Sequence, residues 1–79
     1  MDGDAEKLLR DLISAQRGLE AEQVDLDARF IEDLGFDSLN VLGLIDVLEE
    51  RLRISIPDRA VLEISTVRDA VRALEAAKR

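Results

Sequence analysis

The chain has 79 residues, 47% of them hydrophobic, with 18 acidic against 11 basic side chains and a formal net charge of −7. That length suits a single domain, residues 1–79, near the lower limit at which an unstapled apolar core holds a fold. With no Cys and no His, disulfides, thiolate metal sites, Cys nucleophiles and Ser-His-Asp triads are excluded, and the acidic balance disfavours nucleic acid or an anionic membrane as partner.

A protein surface bearing a basic patch is the natural complement of such a charge. No basic N-terminal stretch leads into an apolar run and no apolar segment approaches spanning length, so a soluble, cytoplasmic monomer is expected. Only two aromatics are present, both Phe, so the core must be largely aliphatic and is expected to be helical.

From Asp4 to Gln16 the apolar residues Ala5, Leu8, Leu9 and Leu12 follow the spacing of an amphipathic helix, with Gly18 placed to end it. Residues 18–36 have no sustained period. Val24, Leu26, Phe30, Ile31, Leu34 and Phe36 give this stretch apolar anchors, so a packed connection is expected rather than a free loop. At Asp37 and Ser38 two cap-type residues precede the clearest helix, running to about Leu52 with Val41, Leu44, Ile45, Leu48 and Leu52 on one stripe. Ile54-Ser55-Ile56 alternates like a strand but meets Pro57 and finds no pairing partner, so an extended linker is expected. Asp58 to Glu63 allows one or two helical turns. Thr66 with Asp69 forms a capping pair for a last helix carrying Val67, Ala70, Val71 and Leu74 on one face. The expected fold is all-α, an antiparallel four-helix bundle of three main helices and a short one, with a long loop between the first two.

The segment Phe30-Ile31-Glu32-Asp33-Leu34-Gly35-Phe36-Asp37-Ser38-Leu39 carries the functional signal. Ser38 falls at the first position of the second helix, where unpaired N–H groups and the positive end of the helix dipole favour a phosphodiester. Gly35 permits a sharp turn ahead of it without a side chain crowding the serine. Asp37 can cap the helix through the N–H of Leu39 or Asn40, which leaves the Ser38 hydroxyl free. Ser38 as an ordinary N-cap is the bland alternative, weakened because Asp37 already supplies a cap.

This segment resembles the attachment motif of acyl carrier proteins, in which the serine of Gly-x-Asp-Ser-Leu bears 4′-phosphopantetheine. The likeness extends through Ile54-Ser55-Ile56-Pro57-Asp58 to Ser65-Thr66-Val67-Arg68-Asp69-Ala70. It implies a carrier rather than an enzyme: the arm, donated by coenzyme A through a phosphopantetheinyl transferase, holds acyl groups as thioesters for a ketosynthase, acyltransferase or other synthase enzyme with a basic docking patch. It also implies that Asp37 helps bind the metal used by the transferase.

At about 100° per residue, Leu39, Leu42, Asp46, Glu49, Glu50 and Arg53 face outward from the second helix, two leucines rimmed by charge, which reads as a docking surface against the alternative of a solvated charged face with stray leucines. Leu48, Val61, Leu62 and Ile64 are candidates to line a space for the acyl chain, against the alternative that they simply close the core. Asn40 and Gly43 stand where fatty-acid-synthase carriers usually have acids, and Arg51, Arg53 and Arg59 interrupt the negative surface. With the wording Leu-Gly-Phe-Asp-Ser-Leu, these departures look more like polyketide carriers and point to a specialised-metabolite pathway. The alternatives are a fatty-acid-synthesis carrier, a peptidyl or aminoacyl carrier, whose motif usually reads Gly-Gly-x-Ser, and an unmodified helical interaction module. A calcium loop beginning at Asp25 fails, because Phe30 replaces its turn glycine and Phe36 its bidentate glutamate.

Overall fold

In the computed structural model, which describes residues 4–78, four helices follow one another: α1 (Asp4–Arg17), α2 (Ser38–Leu52), α3 (Asp58–Leu62) and α4 (Val67–Ala77). Among the described residues there is no strand, and the all-α bundle expected from the sequence is the observed one. It measures 30 × 26 × 19 Å. Among the described residues no helix is long and apolar enough to cross a membrane.

In α1 the periodic residues do what their spacing requires: Ala5, Leu9 and Ile13 are fully buried, and Leu8 and Leu12 flank them half-buried. The helix runs one residue beyond the expected end. Gly18 then adopts a left-handed φ of 71°, and the N–H groups of Gly18 and Leu19 both donate to the Ser14 carbonyl, at 2.9 and 3.2 Å. One carbonyl of the last helical turn thereby receives both donors.

The long connection is packed, as its apolar anchors require. Val24, Phe30 and Phe36 are buried, and the two Phe rings meet edge to face with centroids 5.5 Å apart. Ile31 is the exception, because it is 57% exposed and anchors nothing. A 3-10 turn at Ala21–Gln23 is held to α1 by Arg10, whose Nη1 donates to the carbonyls of Ala21 and Val24 and whose Nε pairs with Glu6. The same connection runs against the start of α4. Val67 and Arg68 donate their N–H groups to the carbonyls of Ala28 and Leu26, at 3.0 and 2.7 Å, and Phe30 N–H donates to Ser65 at 3.0 Å.

Val41, Leu44, Ile45 and Leu48 of α2 point into the core, with Leu52 half-buried. α2 stops at Arg53, a non-glycine residue with φ 57°, and both Arg53 and Ile54 donate their N–H groups to the Glu49 carbonyl. The following residues 54–57 belong to no helix or strand, in keeping with a linker. Pro57, at φ −59°, leads into the single-turn α3. α4 buries Val67, Ala70, Val71 and Leu74 against α1 and α3.

Candidate functional site

The first turn of α2 is organised by its neighbours on both sides of Ser38. Asp37 is extended, with φ −105° and ψ 178°, and its Oδ1 accepts from Asn40 N–H at 2.8 Å. Asn40 Oδ1 in turn accepts from Asp37 N–H at 3.2 Å, which completes a reciprocal capping box. Of the two cap partners open to Asp37 in the sequence, the structure uses Asn40. An acid at position 40 would serve the same box, so the neutral Asn removes a charge beside Ser38 without removing the cap.

Ser38 is exposed, and its hydroxyl has no hydrogen-bond partner among the described residues. The backbone N–H groups of Ser38 and Leu39 are likewise without an acceptor. The helix therefore offers an oxygen nucleophile beside two free donors at the positive end of its dipole. A group joined through a phosphodiester fits this tip, since its oxygens can accept from those donors.

The segment leading to Ser38 closes on itself. Asp33 and Leu34 donate to the Arg29 carbonyl at 2.9 and 3.0 Å, Phe36 donates to Phe30 at 2.9 Å, and Asp33 Oδ2 accepts from Arg29 N–H at 2.9 Å. Gly35 is required by its φ of 73°. The space it leaves is not the serine's, however: a Cβ here would approach Arg17 Nη1 at 3.6 Å. Arg17 itself lies over the Phe36 ring, 4.6 Å from the centroid. Gly35 shapes the turn, and the atom nearest to a Cβ there belongs to Arg17.

Beside Ser38 lies an apolar cleft of about 250 Å³. It is lined by Phe30 and Ile31 of the long connection, by Val41 and Leu42 of α2 together with Ser38, and by Val61, Leu62 and Ile64 in and after α3. Arg29, Glu32 and Ser65 contribute its polar edge. Three of the four residues expected around an acyl chain are there. Leu48 is not; it lies nearly two turns of α2 beyond Val41 and Leu42 and is fully buried in the core.

On the outer face of α2, Leu39 is 77% exposed, and Leu42, Asp46, Glu50 and the terminal Arg53 are exposed with it. Val47, not singled out by its position in the pattern, joins them. Glu49 departs from the expected free docking acid. It is half-buried, and its Oε2 accepts from Ile56 N–H at 2.7 Å.

These features define a small acidic helical domain with a free hydroxyl and two free donors at one helix tip, an arrangement suited to bearing a group rather than to transforming one. The family model described as "Phosphopantetheine attachment site" matches residues 7–74. The chain is 39% identical over 74 residues to an acyl carrier protein of Akkermansia muciniphila, covering 94% of this chain and 92% of that one. It is 40% identical over 70 residues to an acyl carrier protein of Wolinella succinogenes, covering 89% and 92%. Among solved structures, the acyl carrier protein of Enterococcus faecalis superposes with a TM-score of 0.83 at 26% identity, over 98% of each chain. The hexanoyl carrier protein of the actinorhodin polyketide synthase of Streptomyces coelicolor gives 0.74 at 31% identity, over 95% of this chain and 86% of that one.

The chain belongs to the acyl carrier protein family. It carries acyl groups on a covalently attached 4′-phosphopantetheine and is a carrier, not an enzyme. Phosphopantetheinyl transferases and synthase enzymes are the general partners of this family.

Proposed function

We propose that Ser38 is the attachment residue and that the chain, working as one carrier domain, serves polyketide or related specialised-metabolite biosynthesis. The observation that carries the attachment site is the division of labour at the start of α2. Asp37 and Asn40 complete the cap between them, so the exposed Ser38 hydroxyl is surplus to the fold. The arm supplies the only thiol, on which acyl groups are held as thioesters. This chain's own residues present the acceptor oxygen, keep Leu39 and Ser38 N–H groups free beside it, and place apolar surface next to it. Intact mass after incubation with coenzyme A and a broad-specificity transferase tests this. A gain of one phosphopantetheine that disappears in Ser38→Ala supports the assignment, and an undiminished gain in that variant sinks it.

The outer face of α2 is the docking surface in this reading. Leu39, Leu42 and Val47 supply exposed apolar contact, while Asp46 and Glu50 supply the negative charge that meets a basic patch. Arg53 adds a positive end to that face, and Glu49 is withdrawn from it by its bond to Ile56. The cleft formed by Ile31, Leu42, Val61, Leu62 and Ile64 next to Ser38 receives the proximal part of an acyl chain.

The polyketide assignment is supported by the missing acids at Asn40 and Gly43, by the arginines at 51, 53 and 59, and by likeness to the actinorhodin carrier. Neither departure is forced by the fold, since Gly43 has open space where a Cβ would stand. A malonyl-loaded chain offered in parallel to a polyketide and to a fatty-acid ketosynthase checks it. The assignment requires a higher kcat/KM with the former, and equal or reversed values overturn it.

A further inference from the structure

Glu49 stands at the junction that decides where α3 sits. Its carbonyl accepts the N–H groups of Arg53 and Ile54, the latter at 3.0 Å, and its carboxylate accepts the N–H of Ile56 at 2.7 Å. Two of the three N–H groups that residues 54–57 possess therefore end on this one residue, Pro57 having none. The next segment is α3, five residues long, whose Ala60 and Val61 N–H groups both fall on the Pro57 carbonyl at 2.9 and 3.1 Å. Val61 and Leu62 line the cleft beside Ser38, and Leu62 is 81% exposed. A helix this short has little stability of its own. Its attachment at the N-terminal side is the buried Ile56 side chain and the bond from Ile56 N–H to Glu49.

We infer that Glu49 is a positioning residue for the acyl-carrying function: its carboxylate clasps Ile56 and thereby sets how readily α3 swings away to enlarge the cleft for a longer acyl group. This rests on the reading of the cleft as the acyl site. A carboxylate accepting a backbone N–H in a half-buried place makes a stronger bond than a neutral acceptor does, and breaking it leaves the rest of the core intact. Opening then costs less than global unfolding and stays confined to residues 54–64. A carrier of short groups keeps the clasp shut, and a long group levers it open.

The test is amide exchange, residue by residue, on the full chain without the arm and with an octanoyl arm installed from octanoyl coenzyme A. In the unloaded chain Glu49→Ala is expected to raise exchange at Ile56, Ala60 and Val61 about tenfold or more, with α1 and α4 unchanged. Glu49→Gln, which keeps an acceptor oxygen, is expected to restore part of the protection. In the octanoyl form, the same variants are expected to show larger chemical-shift changes at Val61, Leu62 and Ile64 than the native chain. Unchanged exchange at Ile56 and Ala60, or acceleration spread evenly over all four helices, overturns the role of Glu49. If the octanoyl group perturbs no cleft residue in any variant, the acyl reading of the cleft fails, an outcome that the unloaded measurements keep apart from the clasp itself.

Discussion

α2 and α4 begin with the same local device and end up with opposite tips. Each has an extended cap residue whose side chain accepts from the third N–H of the helix, Asp37 from Asn40 at 2.8 Å and Thr66 from Asp69 at 3.1 Å, and each third residue answers by accepting from the cap's own N–H. At α4 the long connection then supplies the carbonyls of Ala28 and Leu26 to the two remaining donors. At α2 nothing among the described residues does so for Ser38 and Leu39. The local code is thus shared, and tertiary packing decides which positive helix end is sealed into the fold and which is left for a phosphate.

The largest expected effect comes from loosening the connection that seals α4. Phe30 is fully buried, stacks edge to face on Phe36 and donates its N–H to Ser65. Phe30→Ala is expected to cost about 3–5 kcal/mol in urea denaturation. In a domain of this size that leaves little net stability, and α4 amides near Val67 should lose protection early. A loss below 1 kcal/mol would show that the seal does not depend on the connection's core.

Next in size is the sealed cap itself. Thr66 is half-buried and serves Asp69, so Thr66→Ala is expected to lower stability by about 1–2 kcal/mol. The partner carboxylate gives this tip a pH signature. Asp69 titrates below its ordinary value of 3.8, chiefly because its carboxylate accepts from Ser65 N–H; burial opposes this as the next largest effect, and the bonds with Thr66 and the charge of Arg72 add to the lowering. A depressed folded-state pKa gives stability that is fully present above the unfolded value and is lost as the pH falls through the folded one. Denaturation midpoints taken from pH 7 down to pH 3 should therefore fall at the acid end, and Asp69→Asn should flatten part of that fall. An identical acid limb in the variant would remove Asp69 from the account.

How much of this was legible in the chain follows from the range of each interaction. The four helices, the caps at Asp37 and Thr66 and the free serine were readable, because spacing and capping chemistry act within one or two turns. Arg10 was not, since on a helical pattern it belongs to a solvated face, and only the fold brings the Ala21 and Val24 carbonyls over it. Glu49 was misplaced for the same reason: periodicity sets it toward the outer face, but the reversal at Arg53 carries Ile56 N–H back onto its carboxylate. Hydropathy alone makes Ile31 an anchor, whereas the turn that closes residues 29–36 leaves it exposed beside the cleft. Leu48 and Leu42 share the same helix, yet only Leu42 lines the cleft; a wheel already sets Leu48 on the core stripe and Leu42 outward, and which of the two borders the cleft depends on where α3 packs, which periodicity does not show.

The smallest expected effect is the sharpest test of the comparison between the tips. Both helices carry a hydroxyl within their first residues, and a Ser or Thr at such a place is normally there to cap. If the Ser38 hydroxyl is surplus to the fold, Ser38→Ala should shift the unfolding free energy by no more than about 0.5 kcal/mol, as for an uninvolved surface position. The same deletion at Thr66 should cost several times that. Side-by-side urea titrations decide it. Equal losses would mean that Ser38 also caps and that its exposure is incidental. A negligible loss at Ser38, set against a clear one at Thr66, separates a hydroxyl kept for the helix from one kept for modification.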